Sequence, residues 1–187
     1  MLLAEEVPDQ NAYRKFVMLI QLLQTRFGTT PIEGVEIGTM RGESAFYLLR
    51  ELPNVQHLYT VDPWAYVPNS TMEQARPHDF HESNYYQTLE RLQPLKARVT
   101  IVRDFSDDFF TYCIARQKQF DFLYIDGHHE AFQVDRDLQH AKQVLKPGGF
   151  LCGDDYVDCP GVAAQVHAHF GAARICVDRP SQIWWLV

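Results

Sequence analysis

Apolar residues along this chain switch between two periods. Phe16, Leu19, Ile20, Leu23 and Phe27 recur at helical spacing and Gly28 follows as a stop, so residues 1–28 read as an N-terminal helix. From residue 32 onward, short apolar runs alternate with helical stretches. Val35–Ile37, Leu58–Val61, Val99–Val102, Phe120–Ile125 and Phe150–Cys152 read as strands. Each is followed by a helical pattern, in order Ser44–Leu52, Ser83–Leu92, Asp107–Arg116, Ala131–Leu145 and Val162–Phe170. Such alternation implies parallel strands joined by crossover helices. Two last runs, Arg174–Val177 and Ile183–Val187, have too short a connection for a crossover and predict an antiparallel pair. The expected fold is therefore α/β: a doubly wound, mostly parallel seven-stranded sheet with an antiparallel C-terminal strand. Residues 63–82 interrupt the rhythm with a long stretch rich in proline, aromatic and polar residues. Loops of that length are usually functional, and this one reads as a lid or substrate loop.

In an open α/β sheet, ligands bind beyond the carboxyl ends of the strands. After the first strand the chain reads Glu36-Ile37-Gly38-Thr39-Met40-Arg41-Gly42. Two glycines around a turn let backbone approach a ligand and let the next helix start tightly. The dinucleotide fingerprint fails, because its second and third glycines would fall at Met40 and Glu43. The turn suits a ligand without a phosphate chain, and Glu36, Gly38, Thr39 and Gly42 are its candidate contacts. The second strand ends at Asp62, 24 residues after Gly38. A carboxylate there can accept two hydrogen bonds from a ribose diol. Asp104, after the third strand, can accept from an adenine amino group, and Phe105 and Trp64 can pack against the ring.

Length and charge narrow the function. A chain of 187 residues fits one domain, 1–187, and can bury a core without disulfides. The net charge of −7 argues against a nucleic-acid partner, which needs a basic surface. No apolar run is long enough to span a membrane. The acidic N-terminus lacks a signal pattern, so a cytoplasmic protein is expected. Cys113, Cys152, Cys159 and Cys176 form no C-x-x-C pair and read as reduced, mostly buried thiols. The oligomeric state is left open, a homodimer included.

The order of elements over residues 30–187 resembles the class I S-adenosylmethionine (SAM) dependent methyltransferases, whose sheet is Rossmann-like. The resemblance is carried by the glycine turn behind Glu36, by Asp62 and by Lys146-Pro147-Gly148-Gly149. The blocks VDPW, YIDGHHEAFQVDRDL and LKPGGFLCGDDY resemble, more narrowly, the macrocin O-methyltransferase-like branch (methyltransferase family 24-like), metal-dependent enzymes that often act on sugar hydroxyls. The resemblance implies that the glycine turn holds the methionine part of SAM and that Asp62 holds the ribose. It implies a small-molecule acceptor. It also makes the fourth and fifth strands neighbours, which would crowd Asp126, Asp154 and Asp155 at one edge. Three carboxylates together suit a hard cation such as Mg²⁺. On the residues alone, one aspartate capping a helix and another facing water remains an alternative. A bound cation would lower the pKa of an acceptor oxygen and orient it. Asp126 also stands where SAM would meet that cation.

A base must take the acceptor's proton. His129, three residues after Asp126, stands where catechol-type methyltransferases of the same fold carry a lysine, and the resemblance marks it as a candidate. Histidine can accept a proton near neutrality. His128 beside it, and Asp126 itself, remain open. Metal-independent transfer to oxygen or nitrogen, and SAM binding without catalysis, are the two alternatives to metal-assisted O-methylation.

Overall fold

The computed structural model describes residues 10–67 and 75–187. The chain alternates as the hydrophobic pattern predicts. After helix α1 (Gln10–Phe27) come β1 (Ile32–Ile37), α2 (Glu43–Glu51), β2 (Val55–Val61), α3 (His78–Leu92), β3 (Val99–Val102) and α4 (Ser106–Ala115). Then follow β4 (Phe120–Ile125), α5 (Ala131–Val144), β5 (Leu145–Gly153), α6 (Pro160–Phe170), β6 (Ile175–Val177) and β7 (Trp184–Leu186). The seven strands lie in the order β3-β2-β1-β4-β5-β7-β6. β1 to β5 pair in parallel, and β7 runs antiparallel to both β5 and β6. The reversed strand at the end is the one the short last connection predicts.

Strand alternation sends successive residues to opposite faces, and each face has its own helical layer. Val35, Ile37, Leu123 and Ile125 pack with Phe109, Phe110 and Cys113 of α4, Leu138 of α5 and Val166 of α6. Phe122, Tyr124 and Leu58 pack on the other face with Leu19 and Leu23 of α1, Leu48 and Leu49 of α2 and Leu92 of α3. All four cysteines are free thiols, three of them buried. No helix among the described residues is long and apolar enough to cross a membrane.

Two stretches of the sequence reading lie outside the described residues, and two elements start earlier than it places them. Residues 1–9 of the proposed N-terminal helix lie outside the described residues. So do residues 68–74 of the proposed lid. Residues 78–82, also assigned to that lid, form the first turns of α3. Pro77 supplies the extended residue before the helix, and nothing after it breaks a helical pattern. His81 is consequently 7% exposed, with its Nε2 against the Arg76 carbonyl. Finally, β5 begins at Leu145, before the Lys-Pro-Gly-Gly turn. Leu145 pairs with Phe120 and Phe150 with Phe122, so the turn bulges out between two paired residues.

Candidate active site

The connection from β3 back to β4 beside β1 creates a switch point, and the site lies at the strand ends around it. A row of backbone hydrogen bonds sets its register. The amides of Asp62, Gly38, Asp126 and Asp154 donate to Val102, Val61, Ile37 and Ile125, the last or next-to-last carbonyls of neighbouring strands, at 2.8–3.1 Å. Four candidate residues from four strands thus stand in one line. At its centre Gly38 has φ +88, and a Cβ there would lie 1.9 Å from the Asp126 carbonyl oxygen. Only glycine lets the β1 turn close on the end of β4. The turn proposed for the cofactor therefore abuts the carboxylates proposed for the cation.

Asp62 organises the turn. Its Oδ2 accepts the amides of Thr39 and Met40 at 3.0 and 2.9 Å, and its Oδ1 accepts that of Trp64 at 2.7 Å. Burial raises its pKa, and these three donors work against that. A carboxylate offers about four acceptor positions, so these three amides leave about one of them open. Trp64 is 1% exposed, and its indole N–H donates to the Met40 carbonyl at 2.7 Å. It braces the turn from inside, and its ring does not offer an open face for stacking. Glu36 lies beneath the same turn, 1% exposed, its oxygens accepting from Ser44 and Thr60. Burial, opposed by those bonds, pushes its pKa up to about 7. Thr39 shares a hydrogen bond with Thr60, and Gly42 caps α2 in a left-handed conformation. Glu36, Trp64 and Thr39 thus support the turn, while Gly38 and Asp62 form its rim. At the end of β3, Asp104 and Phe105 are both exposed, and Phe105 presents 48% of its surface.

Asp126, Asp154 and Asp155 do converge. One carboxylate oxygen from each lies within 4.8 Å of the others. Burial, then the charges of Asp154 and Asp155, raise the Asp126 pKa well above the usual carboxylate range. Burial likewise raises that of Asp154. Asp155 goes the other way: burial acts to raise it, but the His129 contact more than offsets that and lowers it. Tyr124 donates to Asp126 Oδ2 at 3.0 Å from below. Asp155 has φ +58, and with Met40 and Trp64 it makes three of the five non-glycine residues with positive φ among the described residues. Backbone strain is thus gathered at the strand ends around the switch point.

The two neighbouring histidines differ. His129 Nε2 lies 2.8 Å from Asp155 Oδ2, so the aspartate orients the ring. His128 instead accepts the Glu130 amide at Nδ1, 3.1 Å away, and packs against Phe132. Neutral His128 therefore carries its proton on Nε2 and has its lone pair engaged. Cys159 Sγ forms a second group with His129 and Asp155, but burial pushes its pKa up to about 11 and keeps it a thiol.

Lys15 is the residue sequence reasoning missed. It reaches from α1 to Asp154 Oδ2 at 2.5 Å and stands 3.9 Å from Asp155 Oδ1. A single lysine on an amphipathic helix carries no sequence signal of this partnership. Burial tends to lower its pKa, but Asp154 and Asp126 more than reverse that.

A family model described as a methyltransferase domain matches residues 35–156. No curated protein sequence matches significantly. Among solved structures, calicheamicin methyltransferase superposes with a TM-score of 0.71 at 12% identity, covering 95% of this chain and 80% of that one. An O-methyltransferase from Bacillus cereus, solved in complex with SAH, gives 0.63 at 20% identity, covering 97% and 83%. The ribosomal protein L11 methylase of Lactobacillus delbrueckii subsp. bulgaricus gives 0.55 at 12% identity, covering 92% and 76%. At such identities the likeness is one of fold. The names they carry, calicheamicin methyltransferase and ribosomal protein L11 methylase, differ widely on it.

Proposed function

The chain belongs to the methyltransferase-domain family, and from that premise we propose that it moves the methyl group of SAM to a hydroxyl of a small molecule, assisted by a divalent cation. The observation that carries the reading is the row of strand ends. It sets the glycine turn at Gly38 directly against Asp126, and with it the three carboxylates. SAM supplies an electrophilic methyl on a sulfonium. The rim of Gly38 and the remaining acceptor position of Asp62 would hold its methionine and ribose parts, and the exposed Phe105 face would cover its base. Glu36, Thr39, Trp64 and Gly42 keep that rim in shape from behind.

The donor set fits a hard cation. It is all oxygen, anionic and repulsive without a counter-charge. Asp126, Asp154 and Asp155 would hold Mg²⁺ or Mn²⁺, which lowers the pKa of a hydroxyl and orients it. His129 takes the proton. Asp155, 2.8 Å from its Nε2, orients the ring for that role. Asp155 thereby serves both the cation and the base. His128, its lone pair engaged by Glu130, holds the loop. The stretch at 63–82, whose last residues are the start of α3, would set the selectivity for the acceptor.

The test is transfer of the SAM methyl to a panel of hydroxylated small molecules, read by mass spectrometry. Activity should fall in excess chelator and return with Mg²⁺ or Mn²⁺. Asp126→Asn should resemble the chelated enzyme. Full transfer in chelator, with metal absent by elemental analysis, would overturn the role of the cation. SAM binding without transfer to any acceptor would favour a binding protein.

A further inference from the structure

The carboxylate cluster already has a cation of its own. Asp154 has a fully buried side chain, and its Oδ2 makes no hydrogen bond. What balances that oxygen is the Lys15 ammonium at 2.5 Å, which also stands 3.9 Å from Asp155 Oδ1. An uncompensated carboxylate this deep would be strongly disfavoured. Lys15 itself is 26% exposed in its side chain, so it has a way out to water. Its seat is also local. Four and eight residues further along α1, Leu19 and Leu23 are anchored in the core at 1% exposure each, and Phe16, next to Lys15, stacks on Tyr47 of α2 at 5.3 Å. The second half of α1 is held by packing. The turn that carries Lys15 is tied to the site by charge as well.

We propose that Lys15 is a resident counter-cation that a divalent ion must displace, so that loading the site releases the first half of α1 from the carboxylates. The inference rests on the cation reading above and adds its regulation. An ammonium 2.5 Å from Asp154 Oδ2 opposes a divalent ion held by the same carboxylate. The two cations repel at that distance, so binding of one weakens binding of the other. The Lys15 pair therefore keeps the empty cluster intact, and α1 changes its footing when the ion arrives. The divalent ion binds more weakly than the three carboxylates alone would allow, because the ammonium is bound first.

Two measurements test this. Mn²⁺ binding, followed by electron paramagnetic resonance of the free ion, compares the wild type with Lys15→Met and Lys15→Gln, with Asp126→Asn as the control for the site. The two Lys15 variants should bind Mn²⁺ about tenfold or more tightly than the wild type. Equal or weaker binding, with binding lost in Asp126→Asn, would overturn the counter-cation and leave the metal site standing. No binding by any of the proteins would overturn both. Hydrogen exchange in the unaltered protein gives a readout independent of any variant. Mn²⁺ should speed exchange of α1 amides around residues 14–18 and leave those around residues 19–27 unchanged. Slower or unchanged exchange around residues 14–18 would show that the helix end is not released.

Discussion

His129 and His128 are adjacent in sequence and differ in role, and the difference lies in what each ring faces. Asp155 takes the Nε2 side of His129, while the Glu130 amide takes Nδ1 of His128. His129→Ala should therefore lower turnover by about 10²–10⁴-fold with SAM affinity nearly unchanged. His128→Ala should do much less. Wild-type turnover in the His129 variant would move the base elsewhere. Asp62 shows how far single residues were legible. Its place at the second strand end marked it for the cofactor, but not its three bonds to backbone amides, which depend on how the turn folds back. Trp64 and Glu36 were legible as neighbours of the site and not as its buried braces. Lys15 was not legible at all, because 139 residues separate it from Asp154.

Elements were read more reliably than their ends. The strands and helices follow the apolar periods, but α3 begins five residues before the expected Ser83, because polarity masked a helix that Pro77 starts. β5 likewise absorbs the Lys-Pro-Gly-Gly turn as a bulge, which no period announces. Two glycines at element ends separate conformation from contact. Gly148 has φ +76 with nothing within 4 Å of a built Cβ, so Gly148→Ala should cost about 1–2 kcal/mol and spare SAM binding. Gly38 has φ +88 and a Cβ position 1.9 Å from the Asp126 carbonyl. Gly38→Ala must push β1 and β4 apart, so it should cost more than about 3 kcal/mol and abolish SAM binding. Urea unfolding and calorimetry on the two variants check both; equal losses would mean the close approach at Gly38 does not matter.

At the scale of the whole molecule, the fold was legible because parallel strands with crossover helices leave few topologies. Its electrostatics were not, because they depend on burial. Glu36, Asp62, Asp126, Asp137 and Asp154 all have pKa values raised chiefly by burial. Groups of this kind bind protons more tightly in the folded state, so their effect on stability is fixed in sign: stability falls as pH rises between the unfolded and folded values. For Glu36 that window runs from 4.5 to about 7 and corresponds to a loss on the order of 3 kcal/mol. Urea unfolding between pH 5 and 8 should show this decline, and Glu36→Gln should flatten it; a rise with pH would contradict it. Mg²⁺ should raise the unfolding midpoint more at pH 8 than at pH 5.5, since it competes with protons for the cluster. The central claim is that the cofactor turn and the cation site are adjacent, joined at Gly38 and Asp126. Paramagnetic broadening of SAH protons by Mn²⁺, measured by NMR on the ternary complex, tests it most directly. The account predicts strong broadening around the SAH sulfur that disappears in Asp126→Asn while SAH remains bound. Bound SAH whose signals stay sharp beside bound Mn²⁺ would contradict it.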